Sequence, residues 1–170
     1  MGTKYFPLFT VEDYGLNLPL INTLMWESST KNEFISCGGI FSSDVNDAKV
    51  PGFENNVCQK FANQKWSPMK SLRLLEPRNS SGFSFHSDKK SAWITGGFTY
   101  EFYNEQENIL KTKKSTERVV DGITLEKGPD MPFTLAGHCT AHVGGDVFFV
   151  AGGYQQDFKS TTTTTFLQVK

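Results

Sequence analysis

The stretch Ser91–Gly97 reads "SAWITGG", a short strand-like segment that runs into two adjacent glycines. The same pattern recurs as "EFISCGG" at Glu33–Gly39 and as "VFFVAGG" at Val147–Gly153. The first glycines of the three pairs stand at positions 38, 96 and 152, so the two spacings are 58 and 56 residues. Self-similarity at a nearly constant period is the signature of stacked supersecondary units. The sequence therefore predicts one small structural unit that is repeated three times.

The overall charge of the chain is nearly balanced. Its 170 residues include 17 Lys and Arg against 18 Asp and Glu, which gives a net charge of −1. This balance offers no electrostatic basis for binding nucleic acid. The longest strongly apolar run, Val147–Ala151, is far shorter than the roughly 20 residues that cross a bilayer. We therefore expect no nucleic-acid partner and no membrane span.

Short β-rich segments separated by turn residues predict an all-β fold. Segments such as Ala92–Thr95 and Glu117–Val120 are bounded by Gly, Pro, Asn, Asp and Ser, and helical periodicity is hard to find. Many short strands at regular spacing are typical of sandwiches, barrels and propellers. A four-stranded propeller blade with its turns needs about 40–50 residues, which the period accommodates. We expect two nearly complete four-stranded blades and most of a third, over residues 14–70, 80–128 and 136–170.

Further residues in the same register carry a family resemblance. Trp66 follows the first glycine pair, Met69 and Arg78 precede the next strand, and the stretch "EKGPDMPFTLAGHCTAHVGGDVFFVAGG" ends at the third pair. On these residues, over about positions 17–170, the chain resembles kelch repeats, and the secreted or cell-surface animal kelch-like proteins more than the intracellular adaptors. Leu125 stands where the second repeat should carry a tryptophan. The resemblance implies part of a kelch-type β-propeller.

The glycine pairs are interpreted as architectural. Where inner strands converge on a crowded axis, the absence of Cβ permits close backbone approach and positive φ. A bulky residue before each pair, with Ile35 in the first unit, is expected to pack between adjacent blades. The predicted structural residues are Gly38, Gly39, Gly96, Gly97, Gly152, Gly153, Trp66, Trp93 and Phe149. Because a ring needs 4–8 blades, the missing blades are expected from a longer chain or, alternatively, from partner subunits.

The sequence indicates neither catalysis nor a cofactor. His138 and His142 point to one side of a strand about 13 Å apart, too far to share a zinc ion, and Cys139 points to the other side. No Gly-x-Ser-x-Gly motif is present, and the acidic stretch "EFYNEQEN" does not match a calcium-binding EF-hand loop. We predict no catalytic residue, metal or cofactor. The enzyme alternative is a copper radical oxidase, which uses a kelch-type propeller, but its tyrosine–cysteine and histidine constellation is not matched.

The cysteines and one sequon bear on the compartment. Cys37 ends the strand before the first glycine pair, and Cys58 lies in the neighbouring strand. If these strands pair antiparallel, a disulfide between them is sterically allowed, and two buried thiols are the alternative. Asn79 begins an N-glycosylation sequon on a predicted turn. A bridge and a glycan would favour an extracellular over a cytoplasmic location. Cys139 is expected to be a buried hydrophobe or an unpaired thiol.

Two classes of function are consistent with this pattern. The favoured one is a non-catalytic scaffold that binds a protein or glycan through the loops Ile40 to Asn56 and Phe98 to Thr116. The alternative is a self-assembling protein of a fibre, matrix or actin-type crosslink, joined through free sheet edges and outer strands. The threonine run Thr161 to Thr165 is assigned to a strand of the third unit rather than to an O-glycosylated tract. The fold by itself names no partner.

Overall fold

The structure, a computed structural model, describes residues 20–21, 23–28, 32–41, 53–54, 56–63, 65–86, 91–104, 107–156 and 164–168. In these ranges the regular elements are β-strands and no α-helix occurs, which confirms the predicted all-β class. The same ranges contain no helix that is long and apolar enough to cross a membrane. Residues 14–19 of the first predicted unit, most of the loop 40–56, and positions 161–163 of the threonine run lie outside the described residues.

The first region contains one four-stranded sheet with a small sheet inserted into it. Its strands are β1 (Leu20–Ile21), β2 (Leu24–Glu27), β3 (Phe34–Cys37), β4 (Ile40–Phe41), β5 (Phe53–Glu54), β6 (Val57–Ala62) and β7 (Lys65–Arg73). Strands β2, β3, β6 and β7 pair in that order and antiparallel, forming the first sheet. Strands β1, β4 and β5 form the small sheet. Leu24 and Trp26 are buried while Met25 and Glu27 are exposed, the period of two that a strand imposes.

The second region repeats this plan. Its strands are β8 (Gly82–Phe85), β9 (Ser91–Thr95), β10 (Phe98–Asn104), β11 (Glu107–Thr112), β12 (Thr116–Val120) and β13 (Thr124–Lys127). Strands β8, β9, β12 and β13 pair in that order as the second sheet, and β10 and β11 form a separate hairpin. The loop predicted between β9 and β12 is therefore largely regular structure. In both regions the insertion follows the strand that ends in the glycine pair.

The third region supplies a three-stranded antiparallel sheet. Its strands are β14 (Cys139–Gly144), β15 (Val147–Ala151) and β16 (Thr164–Gln168). The register of β14 against β15 shifts between His142 and Gly144. Thr164 and Thr165 pair with Ala151 and Val150, which agrees with the strand predicted for the described part of the threonine run.

The three sheets stack face to face, with the second in the middle. All five side chains of β9 are buried, because this strand has a sheet on each side. Ala92 and Ile94 join the core with residues of the first sheet, whereas Trp93 contacts Phe148 of the third sheet with ring centroids 6.0 Å apart. A strand buried on both faces is expected to be continuously apolar rather than alternating, which explains the run in "SAWIT".

The first junction, between the first and second sheets, contains the largest apolar cluster. Trp26 stacks on Phe83 with ring centroids 5.3 Å apart and an interplanar angle of 16°. Leu72 and Leu74, from the end of the first region, are buried in the same cluster. Burying such side chains contributes about 1.5–3 kcal/mol each relative to exposure, so this junction is held mainly by apolar burial.

The first sheet also contains the disulfide predicted as one of two alternatives. Cys37 of β3 lies directly opposite Cys58 of β6, and the two are bonded with a Cα–Cα distance of 4.1 Å. Antiparallel pairing of these strands provides the geometry. Cys139 was predicted to be either a buried hydrophobe or an unpaired thiol. It is a free thiol, and its side chain is exposed. The expectation that it is a buried hydrophobe was therefore wrong, because its side of β14 faces away from the second sheet.

Candidate binding surface

The three glycine pairs share one backbone conformation. Their φ angles are 69° and 90° in the first pair, 57° and 94° in the second, and 70° and 90° in the third. This left-handed region is open to glycine and strained for other residues. Each pair turns the chain out of a sheet at the same end, which we call the glycine end. Both insertions, β4–β5 and β10–β11, leave from this end.

The glycine pairs are also sites of close backbone approach. A Cβ on Gly38 would lie 2.6 Å from the carbonyl oxygen of Arg78, and a Cβ on Gly96 would collide with that of Leu135. Arg78 and Leu135 belong to the linkers that connect one sheet to the next. Among the described residues the close approach is thus made to a linker rather than to the shared central axis that the sequence suggested.

Backbone hydrogen bonds tie each linker to the turn it crosses. The amide of Gly39 donates to the Arg78 carbonyl at 3.1 Å, and the amide of Gly97 donates to the Leu135 carbonyl at 2.8 Å. One residue further along each linker, an isolated bridge forms, with Asn79 paired to Phe98 and Ala136 paired to Tyr154. The two junctions therefore use equivalent backbone contacts.

At the first junction the linker carries a buried ion pair. Arg78 Nη2 lies 2.8 Å from Glu117 Oε1, and the side chains of both residues are buried. Arg78 Nη1 donates to the carbonyl of Gly96 at 2.8 Å and to that of Ser115 at 3.1 Å. Glu117 in turn accepts the backbone amide of Leu75 at 2.8 Å. Such extra hydrogen bonds are what a buried pair needs to offset the cost of desolvating its charges.

Glu76 extends this network to the surface. Its carboxylate accepts hydrogen bonds from Lys113 Nζ at 3.0 Å and from Ser115 Oγ at 3.2 Å. Partial burial acts to raise the pKa of the Glu76 carboxyl, but the hydrogen bond and charge of Lys113 and the charge of Arg78 outweigh it. The pKa of Glu76 is therefore lower than its ordinary value, and the carboxylate stays ionised beside the two cations.

The second junction, between the second and third sheets, replaces this network with apolar contacts and a buried histidine. Leu135 forms a buried cluster with Met131 and Val150. His138 Nε2 is hydrogen-bonded to Thr95 Oγ1 at 2.8 Å. Burial lowers the pKa of His138 to about 4, so the imidazole is neutral at physiological pH.

The hairpin β10–β11 is anchored at its base by the third region. Phe98 and Leu110, at the base of the hairpin, form a buried cluster with Ala136, and Tyr154 packs against it. Gln156 Nε2 donates to the Leu110 carbonyl, and Gln156 Oε1 accepts the Thr112 amide at 3.2 Å. The Gln156 side chain thus both donates to and accepts from the backbone of β11, as a neighbouring strand would. The hairpin thus stands on the glycine end with a fixed base.

Two surface cavities lie at the opposite end of the second junction. One, of about 340 Å³, is lined by His86, Trp93, Arg118, Glu126, Lys127, Gly128, Pro129 and Asp146. The other, of about 590 Å³, is lined by residues 84–86 and 140–144. His86 and His142 meet there with ring centroids 4.4 Å apart. Their Nε2 atoms both contact the Gly145 carbonyl, at 3.0 and 2.7 Å.

His138, Cys139 and His142 do not form a metal cluster. The His138 side chain is hydrogen-bonded to Thr95 of the second sheet and the His142 ring packs on His86, while Cys139 is exposed on the other side. Within the described ranges, no group of three or more His, Cys, Asp or Glu side chains could hold a metal ion. The sequence-based placement of these three side chains on opposite sides of β14 agrees with the structure.

Two predicted structural aromatics occupy different environments. Trp66, on β7, is buried and contacts Phe61 with ring centroids 5.2 Å apart. Phe149 is only half-buried and contacts Phe166 of its own sheet at 5.5 Å. Its neighbours Phe148 and Val150 are the residues buried against the second sheet. Phe149 lies on the outer side of the third sheet, and the described residues place no further sheet against that side. The expectation that Phe149 packs between two sheets therefore stays a prediction.

Asn79 is not the surface acceptor that its sequon suggested. The residue is buried, and its Nδ2 donates to the carbonyl of Phe98 at 3.1 Å. A glycan on this nitrogen would require space around a side chain that is only 1% exposed. The sequon falls on a linker that turns inward, and this burial contradicts an exposed glycosylation site in the folded chain.

Sequence reasoning missed the anchoring role of Tyr154 and Gln156. A signal was present, since the residue after each glycine pair is apolar or aromatic: Ile40, Phe98 and Tyr154. The sequence placed Glu117 in the β-rich segment Glu117–Val120 and indicated no partner for it. Its pairing with Arg78, 39 residues earlier in the chain, depends on how two sheets stack, and no local pattern reveals it.

Comparisons with known proteins identify the fold alone. No protein-family model matches the chain, and no curated protein matches it in sequence. Among solved structures, 119 chains match. One of them, YjhT, has a TM-score of 0.61 and 11% sequence identity over 89% of this chain. The match covers 44% of YjhT, so the present chain spans less than half of that β-rich protein.

Proposed function

We propose that the chain is part of a kelch-type β-propeller that acts as a non-catalytic scaffold and binds a protein partner at its glycine end. Three stacked antiparallel sheets, two with four strands and one with three, support the proposed blades. A glycine pair with the same φ angles in each sheet supports the repeat. The structural neighbour YjhT is a kelch-type protein.

One observation carries this proposal: the hairpin β10–β11 is inserted between the second and third strands of a sheet and anchored at its base. Phe98, Leu110, Tyr154 and Gln156 fix the position where the hairpin leaves the stack. Binding segments are usually carried in this way, on loops that a rigid scaffold positions. The small sheet β1-β4-β5 stands on the same end of the first sheet, and the two insertions together define the proposed surface.

The composition of the hairpin favours a partner with basic groups. Its sequence between positions 101 and 107 includes Glu101, Glu105 and Glu107. Acidic residues at a binding surface attract a complementary basic patch and raise the rate of association. The disulfide in the first sheet is typical of oxidising compartments, so the proposed setting is outside the cytosol.

The test is to shorten the hairpin without disturbing its base. Replacing residues 101–109 by Asn-Gly, a two-residue turn suited to hairpins, joins Tyr100 to Leu110, which pair in register, and retains Phe98, Leu110 and the Gln156 contacts. We expect an unchanged melting temperature and loss of the partners that crosslinking recovers with the unaltered chain. The matched control is Ile123→Asp on the turn between β12 and β13, at the opposite end, which should retain those partners.

Two results would overturn the proposal. Partners that bind the shortened chain as well as the unaltered one would exclude the hairpin as the contact surface. Hairpin-dependent binding to an array of purified glycans, with no protein partner recovered, would assign the surface to carbohydrate instead.

A further inference from the structure

The rings of His86 and His142 belong to different sheets and meet at one backbone atom. Their Nε2 atoms lie 3.0 and 2.7 Å, respectively, from the carbonyl oxygen of Gly145. His86 directly follows β8 of the second sheet, whereas His142 lies on β14 and Gly145 lies in the turn between β14 and β15 of the third sheet. Two imidazole nitrogens and one carbonyl oxygen are therefore brought together across the second junction.

The repeat explains why two histidines meet here. His86 stands ten residues before Gly96, and His142 stands ten residues before Gly152, so the two occupy equivalent positions in their units. Stacked repeats place equivalent positions side by side, and the ring centroids are 4.4 Å apart. Ser28 occupies this position in the first unit, so the first junction has no such pair.

The backbone at both rings is fixed by hydrogen bonds. The amide of His86 donates to the carbonyl of Ser91 at 2.9 Å, and the amide of His142 donates to Ser84 Oγ at 2.8 Å. The His142 ring also packs on the buried Phe148, with ring centroids 5.0 Å apart. Ligands that are held by such neighbours need little rearrangement to bind a metal ion.

The separations of the three atoms suit ligands at right angles around one metal ion. Imidazole nitrogens bind metals at about 2.0–2.1 Å, so two ligands at right angles lie about 2.9 Å apart, and two ligands of a tetrahedral set lie about 3.3 Å apart. The observed separations of 3.0 and 2.7 Å fit the right-angled set. Such sets of nitrogen and oxygen ligands are typical of Cu(II) and Ni(II), whereas structural Zn(II) sites are almost always tetrahedral. Two hydrogen bonds to the carbonyl have similar lengths, and the experiments below separate the two roles.

Both surface cavities at this end of the second junction reach the histidine pair. The cavity of about 590 Å³ is lined by His86 and His142, and it leaves room for water at the remaining coordination positions. The cavity of about 340 Å³ is lined by His86 and by four charged residues of both signs: Arg118, Glu126, Lys127 and Asp146. Because these four charges balance, they do not repel a cation from the pair.

We propose that Nε2 of His86, Nε2 of His142 and the Gly145 carbonyl oxygen bind one divalent ion of the Cu(II) and Ni(II) class, which links the second sheet to the third. Each imidazole binds as the neutral ring with its proton on Nδ1, and water completes the coordination. This set has no tyrosine–cysteine pair, which distinguishes it from the copper radical oxidase constellation. The site lies at the end opposite the hairpin β10–β11 and does not depend on the proposed partner surface.

The sequence predicted no metal, because the pair considered there was His138 and His142 on one strand. His86 lies 56 residues before His142, and only the stacking of two sheets brings their rings together. Within the described ranges no third side chain of the metal-binding types completes a cluster with them. The site therefore depends on both imidazoles, and loss of either one should be decisive.

The first experiment titrates CuCl2 into the 170-residue chain by isothermal calorimetry. The chain carries Cys139→Ser, because the exposed thiol would itself bind or reduce Cu(II). We expect one ion per chain at the site, and electron paramagnetic resonance should show coupling to two imidazole nitrogens.

His86→Gln and His142→Gln test the ligands. Each glutamine retains an N–H for the Gly145 carbonyl but removes an imidazole nitrogen. Losing an outer-shell partner already costs 10–100-fold in metal affinity, so each variant should raise the Kd for Cu(II) about 100-fold or more, with far-ultraviolet circular dichroism unchanged. The matched control is His138→Gln, at the third histidine, whose ring is hydrogen-bonded to Thr95. This control should retain both the Kd and the two-nitrogen signal.

A further measurement tests whether the ion links the two sheets. Ni(II) at about 100 times its Kd should raise the urea denaturation midpoint of the Cys139→Ser chain, since an ion that binds only the folded state stabilises it. The rise should be absent when His86→Gln is added.

Three results would overturn the proposal. Equal Cu(II) affinity with and without the two glutamine substitutions would mean that only adventitious binding elsewhere on the chain occurs. A resonance signal with one imidazole nitrogen or none would exclude the pair, and this result requires no variant to fold. A urea midpoint that does not change when Ni(II) is bound would exclude a link between the sheets. Each of these outcomes leaves the hairpin-shortening test of partner binding unaffected.

Discussion

The first and second junctions differ in their side chains although their backbone contacts are equivalent. In both, the second glycine of a pair donates to a linker carbonyl, of Arg78 in one and Leu135 in the other. Arg78 forms a buried ion pair with Glu117, whereas Leu135 packs against Met131 and Val150. The repeat thus requires the backbone contact, and either polar or apolar side chains can support it.

The two junctions differ in their side chains at two equivalent positions. Glu117 is paired in register with Ile94 of its sheet, and Thr165 is paired with Val150 at the equivalent place in the third sheet. The pair Arg78 and Glu117 at one junction therefore corresponds to Leu135 and Thr165 at the other. This coupling has a physical reason, because a single buried charge without its partner is costly.

The largest expected effect comes from breaking the ion pair on one side. Glu117→Ala leaves the Arg78 guanidinium buried without its counter-ion and removes the acceptor of the Leu75 amide. We expect the free energy of unfolding to fall by about 3–5 kcal/mol, measured by urea denaturation. Arg118→Ala, at the neighbouring and exposed position, serves as the control and should cost less than about 1 kcal/mol.

The double variant Arg78→Leu with Glu117→Thr converts the first junction toward the second. If the two positions are coupled as the comparison suggests, this variant should be more stable than Glu117→Ala, since no unpaired charge is buried. A double variant whose loss equals the sum of the Arg78→Leu and Glu117→Thr losses would show that the pair is not energetically coupled, and the comparison would fail.

The repeat could be predicted from the sequence, but the side-chain contacts at the two junctions could not. The glycine pairs and the strands that precede them follow from local patterns of period two and from spacing, whereas the Cys37–Cys58 bridge was one of two alternatives that the sequence left open. The partner of Arg78 depends on which strands of two different sheets face each other, and the inward turn of Asn79 depends on the linker path. The β10–β11 hairpin was interpreted as a long loop, because its strands lack the tight Gly-containing turn that marks a short hairpin.

The disulfide distinguishes the first sheet from the other two at one register position. Cys37 pairs with Cys58, whereas the equivalent pairs are Thr95 with Thr116 and Ala151 with Thr164. Replacing both bonded cysteines by alanine should lower the free energy of unfolding by about 3 kcal/mol, because the bridge closes a loop with a sequence separation of 21.

The control for this prediction is Cys139→Ser, at an exposed thiol, which should change the free energy of unfolding by less than about 0.5 kcal/mol. A loss in the double alanine variant that equals this small change would mean that the hydrogen-bonded pairing of β3 and β6 alone holds the first sheet, as in the two sheets without a bridge.

Acid should weaken the second junction before the first. All three histidines of the chain lie at the second junction. The pKa of His138 is lowered by burial from 6.5 to about 4, so the unfolded chain binds a proton that the folded chain does not. Its contribution to stability is complete above about pH 6.5 and is lost as the pH falls toward 4. The expected loss is about 2 kcal/mol at pH 5.

Fluorescence can assign that loss to one junction. With Trp26→Phe and Trp66→Phe, the remaining Trp93 reports on its contact with Phe148. We expect its denaturation midpoint to fall between pH 6.5 and 5, and the fall to be much reduced by His138→Gln, which retains a polar group for Thr95. An equal fall in the glutamine variant would show that another group causes the acid sensitivity.

The smallest effect is expected at the outer edge of the first junction. Lys113 lies 3.0 Å from Glu76, whose side chain is 42% exposed, so water and salt screen the pair. Lys113→Met should therefore lower the free energy of unfolding by less than about 1 kcal/mol, and the difference from wild type should shrink further in 1 M NaCl. A loss near that of Glu117→Ala would mean that Glu76, Arg78 and Glu117 act as one cooperative network. The contrast between the two junctions would then extend from a buried pair to the protein surface.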